Sequence, residues 1–128
     1  MALETENKRL DPYTVSAGVK AAIEDRSKAL YLVALMGDRV VGQLMVTLEW
    51  SDWRNGDIWW IQSVYVHPDF RKQGVFSRLH EQAEIEARAA GAVMLRLYVE
   101  EDNTRAQEVY LKQGIAMTSY RVMEKGLK

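Results

Sequence analysis

The sequence predicts a mixed α/β fold in which a mostly antiparallel central sheet is flanked by helices. Three observations carry that reading. Two runs rich in β-formers meet at Gly37-Asp38; a third apolar run, residues 58–66, feeds a basic turn containing Gly74; and apolar residues then recur at helical spacing from Val75.

Taken in order, Asp11 before Pro12 reads as an N-cap followed by a first-turn proline, and Val15, Val19, Ala22 and Ile23 carry a helical spacing through to Ser27. Residues 29–36 and 39–50 are two antiparallel strands around the glycine turn, and Asp52, Asn55 and Gly56 supply turn chemistry before the third strand. On that strand Trp60, Val64 and Val66 are expected to alternate with Trp59, Ile61 and Tyr65. Both faces are then largely apolar, which predicts a central strand covered on both sides. Val75, Leu79, Ala83, Ala87 and Ala90 form the stripe of a long helix ended by Gly91, with Ile85 off the stripe. Residues 92–99 read as a strand, 103–113 as a short helix ended by Gly114, and 115–125 as one or two terminal strands.

A chain of 128 residues fits one domain, 1–128, with a flexible start up to about Asp11. At 48% hydrophobic and 27% charged residues, the composition is that of an ordinary globular protein. A formal net charge of −1 lacks the basic excess that attracts nucleic acid or anionic membrane, so neither is expected as a partner. Cysteine is absent, which excludes disulfides, thiolate metal sites and cysteine nucleophiles. The polar start has no signal-peptide core, and no apolar run approaches the ~20 residues of a membrane span; a cytoplasmic protein is expected.

Chemistry concentrates where the third strand passes through Arg71-Lys72-Gln73-Gly74 into the long helix. Backbone N–H groups at a helix start lack intrahelical acceptors and carry the positive end of the dipole, so an anion can satisfy them. No Ser, Thr, Asp or Asn stands at 73 or 74 to cap them, Gly74 permits close approach, and Arg71 and Lys72 add charge. A surface turn of the same composition would look alike.

Residues beyond the turn add specificity. Arg71-Lys72-Gln73-Gly74-Val75-Phe76, preceded by Val64-Tyr65-Val66-His67-Pro68, resembles motif A of the GNAT superfamily of N-acetyltransferases. Asn103, Ala106, Tyr110 and Gly114 resemble the superfamily's second signature in order and spacing. The resemblance covers roughly residues 30–125 and implies a GNAT-like fold, here shortened at the N-terminus because one helix precedes the first strand. It further implies an acceptor site that is more open or completed by a partner subunit in a homodimer. Phe76 departs from the pattern, which has a small residue there. Cofactor approach is preserved if the ring points into the core and obstructed if it points outward.

The resemblance implies acetyl-coenzyme A as cosubstrate, without a metal, and transfer of its acetyl group to a primary amine of a small molecule or protein. The pyrophosphate would sit on the backbone of Arg71, Lys72, Gln73, Gly74, Val75 and Phe76. The pantetheine arm would pair with Val64, Tyr65 and Val66, and Asn103 belongs to the same set. The amine would attack the thioester directly, with a strand N–H near Val64 for the oxyanion and Tyr110 as general acid for the departing thiolate. Glu49 is the first candidate base, with Asp52 and Asp57 behind it. Trp50 and Trp53 flank a polar turn where they could touch an acceptor, whereas Trp59 or Trp60 suits the core. His67 and His80 have no second ligand at metal spacing and are assigned to none. The competing reading is a module that binds acetyl-coenzyme A as a sensor without efficient turnover. A P-loop is excluded because Gly-x-x-x-x-Gly-Lys-Ser/Thr does not occur.

Overall fold

Asp11 starts the first helix as its sequence position predicts. One carboxylate oxygen accepts the Tyr13 N–H at 3.4 Å and the other the Thr14 hydroxyl at 2.6 Å, ahead of α1, Pro12–Glu24. The structure, a computed structural model, describes residues 10–128, and the expected flexible start falls largely outside them. Helix α1 stops before the expected Ser27. Asp25 accepts both the Ser27 N–H, at 2.9 Å, and its hydroxyl, at 2.7 Å, and this local turn competes with another helical turn. Only Ala22 of the α1 apolar stripe is buried; Val15, Val19 and Ile23 are exposed.

The sheet contains β1 (Leu30–Met36), β2 (Arg39–Ser51), β3 (Gly56–Val66) and β4 (Met94–Leu97) in the order β1-β2-β3-β4. The first two pairings are antiparallel and β3–β4 is parallel. A parallel pair needs a crossover, and α2 (Val75–Ala89) supplies it. Helix α2 lies against one sheet face so closely that a Cβ on Gly42 would meet Val75 at 3.1 Å and Leu79 at 3.2 Å. Leu44, Val46, Trp59, Ile61 and Val66 meet Leu79, Ala83 and Ala87 there, and Ile85 is exposed as its position off the stripe predicts.

This unit ends at Tyr98; the second is Val99–Lys128. Within the second, Asn103 caps α3, Thr104–Lys112, by accepting the Ala106 N–H at 3.2 Å. Both α2 and α3 end as their glycines predict. Ala92 N–H bonds Ala87 C=O and Gly91 N–H bonds Arg88 C=O, and the same pair of bonds joins Ile115 to Tyr110 and Gly114 to Leu111. The expected terminal strands are absent among the described residues. Residues 115–128 form no regular element and expose Met117, Val122 and Met123, because β-propensity yields a strand only where another strand pairs with it. No helix among the described residues is long and apolar enough to cross a membrane.

His80 is the unexpected core residue: it lies on α2, 2% exposed, with its ring 4.6 Å from that of Phe76. Burial pushes its pKa from 6.5 down to about 4. The unfolded chain therefore takes up this proton first as the pH falls, and the native state loses stability between about pH 6.5 and pH 4. Urea unfolding should show a contribution of about 2–3 kcal/mol lost across that window, estimated from the size of the shift. His80→Phe should flatten this part of the profile, whereas an unchanged slope would mean that His80 opens to solvent before it titrates.

Candidate active site

The site begins with an irregularity in β3. Met45 is opposite Ser63 and Val46 is opposite Ile61, so Gln62 is an extra residue without a Cα partner on β2. Such a bulge reverses the side-chain alternation. Trp59 and Ile61 therefore share the α2 face with Val64 and Val66, while Trp60 and Tyr65 lie on the other. This corrects the expected alternation, which carried a period of two through Gln62. Strand β3 is internal as predicted, but its second face is mixed rather than uniformly apolar. Gln62 there donates to the Thr47 hydroxyl at 2.9 Å.

The parallel ladder ends at Ile61↔Leu97. Beyond it, no strand among the described residues pairs with Ser63, Val64, Tyr65 or Val66 on the side away from β2. In α/β sheets ligands bind outside the carboxyl ends of parallel strands, and this opening is that place in the one parallel pair.

From Val66 the chain enters a 3₁₀ turn, Pro68–Phe70, whose first N–H, that of Asp69, is accepted by His67 Nδ1 at 3.2 Å. Arg71 folds back: its Nε donates to Val66 C=O at 2.9 Å and its guanidinium lies over the Tyr65 ring. Gln73 donates to Asp69 C=O at 3.2 Å. Lys72 adopts φ +63, a left-handed conformation that costs a non-glycine residue about 1 kcal/mol. Gly74, at φ +83, is the N-cap of α2 and gives no side-chain cap; no atom lies within 4 Å of where its Cβ would be. Phe76 packs against the core.

Glu49 occupies the second face. One carboxylate oxygen accepts Trp60 Nε1–H at 2.9 Å, and the other lies 3.7 Å from Arg96 Nη1. Trp60 also meets Tyr98, with ring centroids 4.7 Å apart. Thr47, two residues from Glu49 and about 7 Å along the strand, connects this cluster to Gln62 at the bulge. Asp52 is in a turn and accepts the Trp53 N–H, while the Asp57 C=O accepts Val93 N–H at 2.9 Å. Trp59 is a core residue; Trp50 and Trp53 are exposed, Trp53 at 88%.

In the second unit, Tyr110 is half-buried on α3, and burial pushes its phenol above the usual pKa of 10.0. That keeps it a proton donor at neutral pH. Asn103 spends its carboxamide oxygen on the α3 cap. Among the described residues no group of three or more His, Cys, Asp or Glu side chains is arranged to hold a metal.

Residues 2–115 match the model of the acetyltransferase (GNAT) family. The chain belongs to the GNAT family. A solved structure described as a possible acetyltransferase from Clostridium difficile 630 superimposes with a TM-score of 0.91 at 40% identity, covering 99% of this chain and 84% of the other. A Bos taurus thialysine N-epsilon-acetyltransferase is 32% identical over 78 residues, 61% of this chain and 45% of its own length. An aminoalkylphosphonate N-acetyltransferase from Salmonella typhimurium is 32% identical over 91 residues, 71% and 59% of the two chains. The chain thus spans about half the length of the curated relatives it matches. Gln62 escaped sequence reasoning; the only signal for it was the polar pair Gln62-Ser63 inside an apolar GNAT strand.

Proposed function

We propose that this chain is an N-acetyltransferase that moves an acetyl group from acetyl-coenzyme A to a primary amine in the cytoplasm. The observation that carries the reading is the uncapped start of α2. Gly74 is held at φ +83 with open space beside it, and among the described residues no parallel strand pairs with the end of β3 that leads into this turn. The residues fit a nucleotide pyrophosphate: first-turn N–H groups, the helix dipole and Lys72 favour an anion. The guanidinium of Arg71 is committed to Val66 C=O and the Tyr65 ring, so this residue shapes the turn while its backbone faces the ligand. The edge of residues 63–66 that faces away from β2 would offer backbone groups to a pantetheine arm, apart from the Val66 C=O that Arg71 occupies.

When bound, the thioester supplies an electrophilic acetyl carbon. In this reading the chain orients it on β3 and donates a strand N–H near Val64 to the oxygen that gains charge; Tyr110, on its match to the family's second signature alone, is assigned as proton donor to the departing sulfur. Glu49 is the base we favour, removing a proton from the ammonium form of the acceptor through water along the Thr47–Gln62 row. About 7 Å of strand separates it from Thr47 at the bulge, so the proton would travel through water rather than by direct contact. By their names, the two relatives described above act on thialysine and on aminoalkylphosphonates, which are small-molecule amines. The acceptor proposed here is accordingly a small primary amine, and a homodimer would complete its site.

Two outcomes test the reading. Gly74→Val places a β-branched residue at positive φ beside the helix start, and calorimetry should show coenzyme A affinity lowered by about tenfold or more in a folded variant; unchanged affinity moves the pyrophosphate elsewhere. Tyr110→Phe keeps the ring and removes the donor. Folding and cofactor affinity should hold while turnover drops by about 10²-fold, and wild-type turnover under chemistry-limited conditions would reassign Tyr110 to packing.

A further inference from the structure

Motif A resemblance calls for a small residue where this chain has Phe76, the second residue of α2. Helical side chains lean toward the N-terminus of their helix. A phenylalanine in the first turn therefore leans toward the turn at Lys72 and Gln73, over the place where the anion would enter. In the structure it instead packs against the core, and the residue one helical turn later is His80. By the same lean, a residue at that spacing reaches back onto position 76. Its ring lies 4.6 Å from that of Phe76 at an interplanar angle of 48°, and it is 2% exposed, so it cannot leave without opening the core.

We propose that His80 is a positioning residue for the cofactor turn: its ring holds Phe76 inward and so keeps the start of α2 open to the pyrophosphate. This rests on the acetyl-coenzyme A reading of that turn and names the feature that lets the turn tolerate an aromatic residue. The depressed pKa of His80 accords with a neutral ring in this place. Phe76 and His80 then form a unit: the histidine matters only because the phenylalanine is there, and a small residue at 76 would make it dispensable for binding.

A double-mutant cycle read by calorimetry with coenzyme A tests this. His80→Ala should weaken affinity by about tenfold, the scale of one aromatic pair, in the otherwise wild-type protein. The same change should have no effect in the Phe76→Ala background. His80→Phe, which preserves a ring, should restore wild-type affinity, and Leu79→Val, a mild core change in the same helical turn, should lower stability without moving affinity. If His80→Ala does not fold, His80→Leu fills the space without an aromatic face and takes its place in the cycle. Unchanged affinity on removing the histidine, or an equal loss in both backgrounds, overturns the proposal while leaving the cofactor site intact. Failure of the wild-type protein to bind coenzyme A removes the functional reading itself, and this inference with it.

Discussion

The extra residue in β3 sets the geometry on which the rest depends. An unbroken strand from Gly56 to Val66 would keep one parity, and a chain placing Trp59 and Ile61 in the core would then bury Ser63 and Tyr65 and expose Val64 and Val66. Gln62 resolves the conflict by lying between two registers, anchored to Thr47 instead of to a strand partner. Both halves of the strand can then bury apolar residues beneath α2. The ladder to β4 ends at Ile61, one residue before the bulge, and among the described residues no strand pairs with the rest of β3 on that side.

The adjoining turn combines side chains bonded within their own loop with a helix start that no side chain caps. Arg71 and Gln73 both spend donors on carbonyls of their own loop, at Val66 and Asp69, and these bonds hold Lys72 in a left-handed conformation. A left-handed non-glycine residue retained in such a turn is expected where geometry serves a ligand. At its end the helix start has a glycine for an N-cap, whereas α1 and α3 of the same chain are capped by Asp11 and Asn103. Among the described α-helices, the chain thus caps the other two with side chains and leaves the one that follows β3 without one.

Local chemistry was legible in the sequence and register was not. Asp11, Asn103, Gly91 and Gly114 mark helix ends through bonds to residues within a few positions, so the described α-helices and the Gly37-Asp38 hairpin follow from short windows. The bulge depends on which β2 residues face β3, and neither strand alone contains that information. Glu49 was legible as a carboxylate near a strand end, but its bond to Trp60 and its approach to Arg96 join three strands. The C-terminal segment misled for a related reason: Ile115, Met117 and Val122 have the composition of a strand, and composition does not provide a partner. Motif A itself was readable because its spacing is local, while the fate of its one deviant residue, Phe76, turned on burial against the core and on His80.

The central claim is that the bulged end of β3 and the uncapped start of α2 form one anion-receiving surface. Amide chemical shifts recorded while coenzyme A is titrated into the isotope-labelled chain report on that surface directly. The largest changes should fall on residues 63–66 and 72–77, with the exposed stripe of α1 at Val15, Val19 and Ile23 unmoved. Changes concentrated on α1, or none at all at saturating coenzyme A, would contradict it.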